Sequence, residues 1–128
     1  MRMRARLAWG LLLICAGCGP KAIYDQEVTL KAGDIQPVVF GPFEKEQAVT
    51  VDVSAPGSPV SVYVFDKDQM EFVDYAISYG KTPENVLAGE ASTEAATLTA
   101  TVPAGKEIVV RLQPTGKDEA NVQLKITK

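Results

Sequence analysis

Two cysteines three residues apart, Cys15 and Cys18, carry the only thiols of this 128-residue sequence, and no histidine accompanies them. A C-x-x-C pair is the spacing of dithiol redox centres and of half a tetrahedral zinc site. Zinc would need a second pair or imidazoles, and a redox centre would need a flanking βαβ pattern; the sequence has neither. The pair lies inside LLLICAGCGP, at the close of an apolar run. The missing histidine also removes the commonest general base, so Ser-His and Cys-His nucleophile pairs cannot be assembled. Sixteen acidic residues leave paired-carboxylate hydrolysis as a formal option. Scattered acids pair by chance, however, and a domain of this size has little room for a deep cleft beside its core. The sequence reads as a non-enzyme, with a minimal hydrolase as the last of three readings.

Two further groups merit a chemical reading. Asp66 and Asp68 follow an apolar strand pattern, with Glu71 and Asp74 nearby. Oxygen ligands along a loop suit calcium. Yet the run lacks the glycine and fuller acid series of an EF-hand, and Lys67 dilutes its charge, so a solvated turn is the favoured reading and calcium the weaker one. Phe72, Tyr75 and Tyr79 recur at i, i+3 and i+7. Exposed aromatics of this kind stack on sugars or grip a peptide. The same spacing also suits core packing, which the sequence favours. If the chain has a binding surface, these three residues mark it.

The N-terminus supplies the compartment. Residues 1–6 hold three arginines and no acid, and residues 7–17 are apolar or small throughout, including Trp9, the chain's one tryptophan. Eleven residues at helical rise cover about 16 Å, half of a hydrocarbon core. That is the layout of a secretory signal helix rather than a spanning segment. Ala16, Gly17 and Cys18 then resemble the lipobox of bacterial lipoproteins, departing from it at Cys15, where the family has an aliphatic residue. The resemblance implies cleavage before Cys18, a covalent lipid on Cys18, and acylation of the new N-terminus. Residues 1–17 are then a signal peptide, 18–26 a lipidated tether and 27–128 the mature domain. The lipid is the one attached group expected; no other cofactor is. Gly19 after the cysteine, in place of Asp, favours the outer membrane in an organism with two membranes, with the domain facing the periplasm or the surface. Loss of the three arginines lowers the net charge from −3 to −6. Such a chain is repelled by anionic headgroups and shows no basic stripe for nucleic acid.

From residue 27 onward the period is two. Val49, Val51 and Val53 alternate with polar residues, as do Leu98, Ala100 and Val102, and Val122, Leu124 and Ile126. Residues 60–65 are apolar on both sides and belong at the centre of a sheet. Gly/Pro punctuation separates the runs, and with segments 35–43 and 70–77 the count is about eight strands: an all-β, antiparallel sandwich. The exception is 78–95, where Thr82, Pro83 and Glu84 read as a helix start and Gly89 as its stop; the segment is either such a capping turn or a long loop. The strings VTVDVSAPGSPVSVYVFD and LTATVPAGKEIVVRLQPTGKDEANVQLKI resemble the small jelly-roll sandwiches of the pre-peptidase C-terminal and GOLD type. That resemblance implies a non-catalytic accessory or interaction module and transfers no functional residues. The first reading is therefore a membrane-anchored envelope lipoprotein with a protein or glycan partner. The second is a carbohydrate- or calcium-dependent ligand binder using the 72–79 region.

Overall fold

Valine, isoleucine and threonine at alternating positions make pleated strands with one apolar face, and two such faces must cover each other. The computed structural model describes residues 22–128 and shows this arrangement. Eight strands appear in chain order: β1 (Ala22–Leu30), β2 (Gln36–Phe40), β3 (Gln47–Ser54), β4 (Val60–Asp66), β5 (Ala88–Thr93), β6 (Ala95–Val102), β7 (Ile108–Pro114) and β8 (Ala120–Thr127). One sheet has the order β1-β8-β3-β6 and the other β2-β7-β4-β5, with every pairing antiparallel. This is the strand order of a jelly roll. The fold class read from the sequence is the fold observed.

The core lies between the sheets. Val49, Val51 and Val53 from β3 and Val122, Leu124 and Ile126 from β8 face Val60, Val62 and Val64 from β4 and Ile108, Val110 and Leu112 from β7. All of these side chains are buried. β4 is interior to its sheet, as its apolar character on both sides predicts.

Three boundaries differ from the sequence reading. First, residues 70–77, expected as a strand, form helix α1 (Met70–Ser78) after a single 3-10 turn over Lys67–Gln69. Met70, Val73 and Ile77 share one helical stripe, and they cover a second apolar cluster on the outer face of β4 and β7 made of Tyr63, Phe65 and Val109. The demand to cover that outer face overrides the strand propensity of Phe, Val and Tyr. Second, of the two readings of 78–95, no turn of helix forms between Thr82 and Gly89, and a loop is observed over part of the segment. Residues 81–87 are a loop with Pro83 buried, and Gly89 lies in β5 directly opposite Tyr63. A Cβ at position 89 would collide with the Tyr63 ring, so this glycine serves a close approach rather than a helix end. Third, β1 begins at Ala22, inside the segment expected to be a tether as far as residue 26. Its early residues pair with β8, and Ile23 and Tyr24 pack against the core. Cys15, Cys18 and the signal segment lie outside the described residues.

Candidate functional site

The site is built from the helix that covers the second sheet. α1 ends where Gly80 adopts φ +72°, a left-handed conformation that glycine tolerates. The Gly80 N–H then donates to the Ile77 carbonyl and the Lys81 N–H to that of Ala76, at 2.9 and 2.8 Å. This Schellman closure fixes the last turn and holds Tyr79 at the helix end. One face of α1 is spent on the sheet. The other carries Phe72, Tyr75 and Tyr79, exposed to 62%, 64% and 66%.

The sequence favoured these three aromatics as core. The structure places all three in solvent, because the packing stripe is Met70, Val73 and Ile77, offset around the helix at the same i, i+3, i+7 spacing. α1 is thus apolar on two sides, and among the described residues only one of them has a partner. Tyr75 and Tyr79 lean together, with ring centroids 4.6 Å apart at 45°.

Between α1 and the outer face of β7 runs an open groove of about 870 Å³. Phe72 and Tyr75 line it from the helix and Ile35, before β2, from the far side. Its floor is polar. Arg111 on β7 is 3% exposed, although its strand neighbours Ile108, Val109, Val110 and Leu112 are all apolar. Its Nε donates to Asp74 Oδ1 at 2.8 Å and its Nη1 to Gln113 Oε1 at 2.7 Å. The side chain is buried, and its guanidinium meets a carboxylate and an amide at the groove. Sequence reasoning missed Arg111, Gln113 and Ile35. The available signal was a lone arginine within an apolar run.

Asp66 and Asp68 are arranged differently from an open oxygen cage. The Asp66 carboxylate accepts the Asp68 backbone N–H at 3.0 Å, capping the 3-10 turn. Lys106 Nζ lies 2.9 Å from Asp68 and 3.9 Å from Asp66, so an ammonium already offsets one of the two negative charges. Its hydrogen bond to Asp68, followed by the two carboxylate charges, raises the pKa of Lys106 above the usual lysine value. Glu71 and Asp74 do not join these residues: both line the groove on α1. Among the described residues, no group of three or more His, Cys, Asp or Glu side chains gathers as a metal site.

Among the same residues, no helix is long and apolar enough to cross a membrane. No family model matches the chain, and no curated protein matches it.

Proposed function

We propose that this chain is a lipid-anchored protein of the bacterial envelope whose jelly roll is a non-catalytic binding module, with the exposed face of α1 as its binding surface. The observation that carries the binding half is the trio Phe72, Tyr75 and Tyr79, held in solvent above a groove with a polar floor. Three large rings kept out of a core that has ample apolar demand make an adhesive surface. The anchor half rests on Ala16, Gly17 and Cys18 following a short apolar run. The non-catalytic reading rests on a chain without histidine, whose buried cation is bonded to an acid and an amide rather than to a nucleophile.

The two halves are tested separately. Expressed with its own N-terminus in a bacterial host, the chain should give an intact mass of residues 18–128 plus acyl chains. Cys18→Ser should abolish that mass and release the protein from membranes. Unmodified protein retaining residues 1–17 would sink the anchor. For the surface, the Cys18→Ser chain, which carries no lipid, should co-sediment with purified envelope fragments washed free of membrane. The triple variant Phe72→Ala/Tyr75→Ala/Tyr79→Ala should stay in the supernatant; equal sedimentation of both would remove α1 from the reading.

A further inference from the structure

The groove beside α1 has walls of two chemistries, and together they select a ligand class. Phe72 and Tyr75 offer ring surface, while Arg111, Asp74 and Gln113 offer planar hydrogen-bonding groups within the same groove. A guanidinium carries five N–H groups. Among the described residues its side-chain partners are Asp74 and Gln113, which use two of the five, and all three residues line the groove.

Several occupants fit poorly. A purely apolar partner would strip water from Arg111, Asp74 and Gln113 and leave polar groups unpaired, at a heavy desolvation cost. An anion finds no net positive charge, because Asp74 compensates Arg111 and Glu71 lines the same groove. An extended peptide would take its main-chain bonds from a sheet edge. The edge strand here is β2, five residues long and interrupted by Pro37, which makes it a poor template for an added strand. What remains is a ligand with apolar faces, a rim of uncharged donors and acceptors, and an elongated shape. From Phe72 to Tyr79 the rings span about 10 Å along the helix axis, the length of a disaccharide.

We propose that this groove binds an uncharged saccharide chain, with Phe72 and Tyr75 stacking on the C–H faces of successive sugar rings and Arg111, Asp74 and Gln113 bonding the hydroxyl or acetamido groups on their edge. The proposal rests on the reading of the α1 face as the binding surface. Tyr79, leaning on Tyr75, extends the platform beyond the groove. The ligand lies across the outer face of β7, so a long polymer can pass through without presenting an end.

The test uses the full chain in a detergent without a sugar headgroup, titrated with the β-1,4-linked hexamers of glucose and of N-acetylglucosamine and followed by calorimetry and amide chemical shifts. At least one hexamer should bind saturably, with a dissociation constant of about 0.1–1 mM, as suits an open groove. Phe72→Ala and Tyr75→Ala should each weaken it about fivefold to tenfold. Gln113→Ala should weaken it about threefold. Leu87→Ala, an exposed apolar position outside the groove, should leave it unchanged. Failure of both hexamers to bind, binding indifferent to Phe72 and Tyr75, or preference for polygalacturonate over both would each overturn the proposal. Failure of both hexamers with aromatic-dependent sedimentation intact defeats the saccharide and spares the binding surface. Loss of both defeats the two together.

Discussion

The two sheets offer each other the same valine-rich inner faces and turn different outer faces to the world. The β1-β8-β3-β6 sheet meets water with polar cross-strand pairs: Thr29 donates to Asn121, Thr97 to Asp52 and Gln123 to Asp25, all at 2.8–2.9 Å. The β2-β7-β4-β5 sheet has Tyr63, Phe65, Val109 and Arg111 in the equivalent position, and none of these is left to solvent. It needs a cover, and α1 supplies one. The cover brings an outer apolar face that no other described residue covers, and the candidate site arises from that surplus. The lesson is that the sheet requiring an extra layer hosts the groove, while the self-sufficient sheet is scaffold.

Charge placed under each outer face should break this comparison most sharply. Val73→Asp buries a carboxylate beneath α1 and should cost about 3–5 kcal/mol in denaturant unfolding, whereas Thr97→Asp on the other sheet should cost well under half of that. Equal losses would mean that α1 is not part of the cooperative unit. Arg111→Ala should come next, at about 2–3 kcal/mol, through lost packing of the stem and two lost hydrogen bonds. The loss stays below that of a fully buried pair because Asp74 is half exposed and can take up water. Gly89→Ala should cost about 1–3 kcal/mol by pushing the Tyr63 ring from its seat, with a matching change in near-ultraviolet dichroism.

A subtler effect comes from pH. Burial, opposed by Arg111 and helped by Glu90, raises the Tyr63 pKa above its ordinary 10.0. The native state therefore holds this proton longer than the unfolded chain does. The stability Tyr63 contributes is complete below pH 10 and is lost as pH climbs from there through the native pKa. Stability measured at pH 9 and pH 11 should fall less in Tyr63→Phe than in the parent; identical falls would remove Tyr63 as a contributor. Thr97→Ala, which deletes one exposed hydrogen bond on the polar sheet, should shift stability by no more than about 0.5 kcal/mol.

Much of the sandwich was legible because inward and outward positions alternate strictly on β3, β6 and β8. The apolar character of residues 60–65 on both faces also read correctly as a central strand. It carried a further implication, that something must cover the outside. Residues 70–77 meet that need, but their Phe, Val, Tyr and Ile satisfy strand and helix patterns alike over so short a run. What settles the matter is a tertiary demand from β4 and β7. The aromatic trio was singled out by residue type, while its environment depended on which of two equally spaced stripes faces the sheet. Arg111 was hidden for a related reason, since its partner Asp74 is 37 positions away and meets it only once α1 lies across β7.

The early start of β1 has a mechanical meaning. Ala22 pairs with Thr127 and the ladder continues to Leu30 opposite Ala120. On the proposed reading, a lipid on Cys18 and a polymer in the groove would load the domain from its two sheets, and the load from the lipid would enter through β1. The bonds from β1 to β8 would then share that load along one continuous ladder, which would suit a strut between a bilayer and a moving mesh.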